Sequence, residues 1–227
     1  MATLTQRSGS TQGSGPTQQS GPTQRLGILG GTFDPVHHGH LVAAEEALYQ
    51  QGLDQVLFVP AGAPPHKPAH PISPGHHRLR MVELAIAGKH HFTTSRVDLE
   101  RPGPCYTVDT LALLRREWGP GPGLFFIVGA DSLAEMATWY QPQRLIELCE
   151  LIVVERPGSE VDLDQVEGQL PGISERLHRV RMPLLQISSS DLRARRRAGR
   201  SISYLVPPAV EAYILAHGLY CENCLRL

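Results

Sequence analysis

Residues 30–40 read GGTFDPVHHGH and stand between two segments of different character. Before them, Leu26, Ile28 and Leu29 form a short apolar run that reads as a buried strand ending in Gly30-Gly31. After them, about Gly39 to Gln51 reads as a helix. Gly30 and Gly31 put no Cβ between the chain and a bulky anion. The helix offers free N–H groups and the positive end of its dipole. His37 and His40 are three apart, so at a helix start they share one face. Two imidazole donors there suit a phosphate that gains negative charge in a transition state. Other readings stay open: a Gly-Gly pair can be a plain turn, and a His-rich run can bind zinc. HHGH lacks the pair spacing and glutamate of HExxH, and the stretch lacks the GxGxxG spacing of a dinucleotide-binding dehydrogenase.

The rest of the chain repeats the strand-then-helix alternation. Val56–Val59 is a second buried strand, and a loop rich in Pro and His fills 60–73. A helix is expected over Pro74–Ala87, a strand over Phe92–Val97, a helix over Thr107–Trp118, and strands over Leu124–Val128 and Leu151–Val154. This order predicts an α/β, Rossmann-like, doubly wound fold with a mainly parallel sheet covered by helices on both faces. Ligands then sit at the carboxyl ends of the strands, where Gly30-Gly31 and Gly129 fall. Beyond residue 176 a short strand pair, a basic helix from about Ser188 and a last helix over Pro207–His217 make a small C-terminal helical part.

Residues 1–24 are Ser, Thr, Gln, Gly and Pro with almost nothing apolar, the composition of a disordered tail. The expected domain is 25–220, followed by a short tail over 221–227. The 227 residues suffice for one buried core, and 41% of them are hydrophobic. A net charge of -1 argues against a charge-driven affinity for nucleic acid or an anionic membrane. No apolar run approaches the roughly 20 residues of a membrane span, and no secretory pattern opens the chain. A cytoplasmic enzyme is the expectation, with homo-oligomerisation left open. Cys221 and Cys224 have CxxC spacing, half a zinc site that His217 could extend; an exposed tail with free thiols is the competing reading.

Five further motifs follow along the chain, among them WYQ at 139–141. PPHK at 64–67 carries Lys67, a point charge for a phosphate, and His66, which can stack or donate. An exposed Lys in such a loop can equally be just solvated. YTVDT at 106–110 opens a helix whose free N–H groups could receive a carboxylate, against a plain Thr N-cap. In GADS at 129–132, Gly129 permits close approach and Asp131 can accept from ribose hydroxyls, or can cap a helix. Trp139 and Tyr140 offer aromatic planes for a pyridine ring, with core packing as the competitor. In ISSSDLR at 187–193, the serines supply hydroxyls and backbone donors at a helix start, and Arg193 can fork onto phosphate oxygens. Arg195, Arg196, Arg197 and Arg200 continue as a solvated basic face, too short and too poor in aromatics for a nucleic-acid site.

HxGH after a first strand resembles the nucleotidyltransferase superfamily, and GGTFDPVHHGH with ISSSDLR is similar to bacterial nicotinate-nucleotide adenylyltransferases. The likeness spans about residues 25–220, through GRSISYLVPPAVEAYILAHGLY, with Leu192 where the family commonly has Ile. It implies a nucleotide pocket lined by Gly30, Gly31, Thr32 and Phe33, ATP phosphates on His37, His40, Lys67 and Arg193, and further ATP contacts from Gly129, Asp131, Ile187, Ser188 and Ser189. It implies nicotinate mononucleotide on His66, Tyr106, Thr107, Trp139 and Tyr140. The implied reaction needs ATP with Mg²⁺ and no metal cage of the protein's own. Phosphopantetheine adenylyl transfer, a His-cluster metal hydrolase and a non-catalytic nucleotide sensor are the alternatives. GGTFDP, PPHK and WYQ argue against the first, and the His37/His40 pair with Arg193 argues against the last.

Overall fold

The computed structural model describes residues 24–63, 72–156, 158 and 161–221. The expected tail over 1–24 (apart from Gln24), His66 and Lys67 of PPHK, and Cys224 lie outside the described residues. Six strands make one sheet: β1 (Arg25–Gly31), β2 (Gln55–Pro60), β3 (Phe92–Thr94), β4 (Gly123–Gly129), β5 (Glu150–Glu155) and β6 (Leu177–Arg181). Their order is β3-β2-β1-β4-β5-β6, and every pairing is parallel. The α-helices among the described residues are α1 (His38–Gln50), α2 (Gly75–Ile86), α3 (Val97–Glu100), α4 (Thr107–Trp118), α5 (Ala130–Ala134), α6 (Pro142–Leu148), α7 (Leu163–Gln169), α8 (Ser189–Arg197) and α9 (Pro208–Ala216).

Period-two alternation divides the strand side chains between two cores. Leu57 and Val59, Leu124, Phe126 and Val128, and Leu151 and Val153 point to one face. Val56 and Phe58, Phe125 and Ile127, and Ile152 and Val154 point to the other. The first core takes Val108, Leu111 and Leu114 from α4 and Leu145 and Ile146 from α6. The second takes Ala44 and Ala47 from α1, Met81 and Val82 from α2, Leu192 from α8 and Val210 and Ile214 from α9. Both faces are therefore covered, as near-continuous apolar strands require. Gly27 is a glycine for a packing reason: a Cβ there would stand 2.7 Å from the Leu53 side chain.

Three expectations change. The strand expected over Phe92–Val97 ends at Thr94, and Val97 opens α3. The strand pair beyond residue 176 is a single strand, β6, which extends the main sheet beside β5. Pro183 follows closely and has no N–H to continue a ladder, so Met182–Ile187 runs on without strand pairing. Cys221 is disulfide-bonded, where free thiols were expected. The other described cysteines, Cys105 and Cys149, are free and buried. Burial pushes the Cys149 thiol up to about 12, so it packs as a small apolar group. No described helix is long and apolar enough to cross a membrane.

Candidate active site

The sheet order reverses direction between β1 and β4, whose carboxyl ends carry Gly30-Gly31 and Gly129. Chain leaving two neighbouring strands toward opposite faces opens a crevice there. The crevice has two lobes, about 670 Å³ and 870 Å³. Gly30, Phe126, Ser132 and Trp139 line both, so the lobes meet across them. A cavity of this form can hold two ligands with their reacting ends at the seam.

The first lobe is built on the start of α1. His37 is its N-cap, with extended backbone, and His40 lies in the first turn. Their rings stack, with centroids 3.8 Å apart and planes 24° apart. The His37 N–H donates to Nδ1 of His40 at 3.3 Å. A backbone N–H can only donate, so that nitrogen of His40 carries no proton, and the neutral ring keeps its proton on Nε2. Burial, then His37 and Arg156, hold the His40 imidazole well below its ordinary value. Burial, then Arg156 and His38, bring His37 down to about 4. Both rings are therefore neutral near pH 7. Nδ1 of His37 is buried and has no hydrogen-bond partner among the described residues.

Phe33 departs from its expected place. Its side chain is 1% exposed and lines neither lobe. At φ 49 the chain turns the ring inward, where it meets His40 edge-on at 5.1 Å and Phe58 at 5.8 Å. It packs under the His40 ring, between that ring and the core. Gly31 and Thr32, expected beside it, line the second lobe.

Ile187, Ser188 and Ser189 reach the first lobe from the start of α8. Ser188 is the N-cap, and its Oγ accepts from the Asp191 N–H at 3.1 Å. The Ser189 hydroxyl donates to the Pro35 carbonyl at 2.9 Å. Arg193, like Phe33, lines neither lobe; it donates to the Asp34 carbonyl at 2.6 Å and to the Ser190 hydroxyl at 3.2 Å. The two sequence signatures are thus tied together across more than 150 residues, next to His37. Gly129 and Asp131 line the same lobe from the start of α5, with Asp131 exposed.

The second lobe carries Tyr106, Thr107, Trp139 and Tyr140. Tyr106 is the N-cap of α4, so the free N–H groups of that helix open here. Tyr106 and Tyr140 rings lie 4.4 Å apart, and Trp139 stands edge-on to Phe126 at 6.2 Å. A buried clamp fixes the helix start: Arg101 donates to Asp98 at 3.0 Å and to the Tyr106 carbonyl at 3.1 Å, and Thr110 donates to Asp98 at 2.7 Å. Burial raises the Asp98 carboxyl despite these donors.

Sequence reading missed Arg156. It lies exposed at the end of β5, lines the first lobe and depresses both histidines. The signal was its position at the carboxyl end of a buried strand, directly before Pro157-Gly158. Gly39 also has a specific task, since a Cβ there would lie 3.0 Å from both Cε1 and Nδ1 of His37. Gly39→Ala should therefore tilt the His37 ring and lower kcat about tenfold with a nearly unchanged Tm. Unchanged kcat would show the ring's placement to be immaterial.

A cytidylyltransferase-like family model matches residues 28–195. A Thermomicrobium roseum protein named a probable nicotinate-nucleotide adenylyltransferase is 53% identical over 86% of this chain and 91% of its own length. A Moorella thermoacetica protein of the same name is 46% identical over 86% of this chain and 91% of its own. In fold, the chain matches Plasmodium falciparum nicotinic acid mononucleotide adenylyltransferase complexed with NaAD. The TM-score is 0.70 at 20% identity, covering 87% of this chain and 97% of that one. With these relatives spanning the cleft and nearly the whole folded region, the chain belongs to the nicotinate-nucleotide adenylyltransferase family, within the cytidylyltransferase-like group.

Proposed function

We propose that this protein transfers AMP from ATP to nicotinate mononucleotide, giving nicotinate adenine dinucleotide and pyrophosphate in NAD synthesis. The observation that carries the reading is the two-lobed cleft, with a stacked, neutral His37/His40 pair in one lobe and aromatic rings beside a helix start in the other. The adenosine part takes the first lobe, with Gly129 and Asp131 at the ribose and Ile187, Ser188 and Ser189 along the phosphates. The mononucleotide takes the second, where Trp139 and Tyr140 flank the pyridine ring and the start of α4 at Tyr106 and Thr107 receives its carboxylate. Gly30, Gly31 and Thr32 form the floor between them.

An oxygen of the mononucleotide 5′-phosphate attacks the α-phosphorus of ATP in line. The bond from that phosphorus to the bridging oxygen breaks, and pyrophosphate leaves with the electron pair. The attacking phosphate is already an anion near neutral pH, so no side chain needs to remove a proton. That suits imidazoles held neutral, which act as donors. His40 presents Nε2–H to the phosphate oxygens whose charge grows, and His37 stacks against it. Arg156 and Arg193 add positive charge, Lys67 is assigned to the same triphosphate, and His66 is assigned to the mononucleotide. A preorganised site of this kind works by positioning and charge stabilisation.

The donor set fits a cation brought in on the nucleotide. Among the described residues no three His, Cys, Asp or Glu side chains converge as a metal site, and Asp131 is the sole carboxylate on the first lobe's wall. Mg²⁺ bound chiefly by triphosphate oxygens and water would neutralise charge on the β- and γ-phosphates, with Asp131 within the same lobe. ATP and a mononucleotide as substrates place the enzyme in the cytoplasm. The test is pyrophosphate release with ATP, Mg²⁺ and either nicotinate or nicotinamide mononucleotide. Release that depends on the nicotinate form is expected. No release with either mononucleotide rejects the reaction, and faster release with the amide rejects the acceptor.

A further inference from the structure

Asp34 lies in the turn between Gly30-Gly31 and His37, is 3% exposed, and is held by three distant segments. Its Oδ1 accepts from the Tyr220 hydroxyl at 2.6 Å, and its Oδ2 from the Ser73 N–H at 3.1 Å. Its carbonyl accepts from Arg193 at 2.6 Å. Arg78, 2% exposed, braces the same turn by donating to the Thr32 and Ser73 carbonyls, both at 2.8 Å. Tyr220 comes from the chain that follows α9, with its own backbone at φ 62. Its hydroxyl also approaches Met81 Sδ at 3.9 Å.

We propose that Tyr220 is a positioning residue for adenylyl transfer: its hydroxyl locks Asp34, and through the Asp34 peptide it holds Arg193 in register with His37 and His40. The bond is a hydroxyl donating to a buried carboxylate, among the stronger uncharged-donor hydrogen bonds. Burial and the facing Asp34 charge keep the phenol protonated, so it stays a donor at any working pH. Ser73, Arg78 and Arg193 also face the phenol. A fold staple would need only packing between the C-terminal segment and α2, which the contacts of α9 with α2 and of Tyr220 with the core around Met81 already supply. The hydroxyl instead ends on the residue whose carbonyl carries Arg193, three positions before His37. A small shift of that peptide moves the guanidinium, and misplacement of this order is costly to rate.

The proposal rests on the reading of Arg193 as a phosphate-facing group. Its test is a double-mutant cycle on purified full-length protein, with saturating ATP and nicotinate mononucleotide. Tyr220→Phe keeps the ring and loses only the hydroxyl. Its kcat should fall about tenfold, with both KM values within about twofold of wild type. In an Arg193→Ala background the same change should cost less than about twofold, because its effect has already been removed. An equal loss in both backgrounds, or wild-type kcat in the single variant, overturns the proposal. Should Tyr220→Phe fail to fold, Asp34→Ala, which removes the acceptor of the hydroxyl but keeps the carbonyl that holds Arg193, is measured in the same two backgrounds and read by the same rule. An Arg193→Ala protein as active as wild type would instead reject the assignment of Arg193 to the phosphates. A large loss in Arg193→Ala beside an unaffected Tyr220→Phe rejects only the latch.

Discussion

Replacing His40 with alanine should lower kcat by about 10²–10³-fold while the protein stays folded. The ring lines the first lobe, edge-on to Phe33 and stacked on His37, and its Nδ1 is engaged by the His37 N–H. Only Nε2–H is left to meet a ligand. An imidazole so fixed needs no reorganisation as charge develops on a phosphate, which is where preorganised donors gain most. The fold loses two ring contacts and one long hydrogen bond, and both apolar cores keep their members. The rate loss should appear in kcat more than in KM, since a donor that matters most in the transition state does not set ground-state affinity. His40→Gln places an amide N–H near the position of Nε2 and should recover part of the rate. Near-wild-type turnover in His40→Ala, measured as pyrophosphate release, would remove this histidine from the chemistry.

What the chain declares about itself is uneven, for physical reasons. Strands β1, β2, β4 and β5 are legible because they are short apolar runs buried on both sides. Helix α4 is legible from end to end because Tyr106 closes an extended entry and Gly119, at φ 75, stops it. Beyond Arg176 the pattern weakens. The run RVRMPLLQI reads as two strands by composition, and Pro183 together with the lack of a partner reduces it to one. The site follows the same division. Residues in contiguous motifs, such as His37, His40, Ser188 and Ser189, are singled out by their place at helix starts and by the resemblance, and they line one lobe. Phe33 could not be placed, because a left-handed turn at a non-glycine residue decides whether its ring faces the ligand or the core. Arg156 and Tyr220 stand alone in sequence, and tertiary neighbours give them their surroundings. For Tyr220 the partner is 186 positions away.

Acid should weaken the free protein before it reaches the usual carboxylate range, and His37 should be a principal cause. Its imidazole is 4% exposed and titrates at about 4 when folded, against 6.5 in an unconstrained chain. Between those two values the unfolded chain binds a proton that the folded chain refuses. Stability then rises with pH across the window: the contribution is complete above pH 6.5 and is lost as pH falls toward 4. A displacement of this size corresponds to about 3 kcal/mol. His40 is depressed in the same direction and adds to the slope, whereas Asp98, whose carboxyl is raised by burial, works against it. Bound triphosphate should reverse part of the effect, because its charge favours the imidazolium and opposes the depression caused by burial and Arg156. Denaturant unfolding from pH 7 to pH 4.5 should therefore show a steeper loss for the free protein than for protein saturated with a non-hydrolysable ATP analogue. His37→Asn, which cannot titrate, should flatten the free-protein curve toward the bound one. If that variant keeps the wild-type slope, His37 is not the group that resists the proton, and its neutral state in the cleft loses its support.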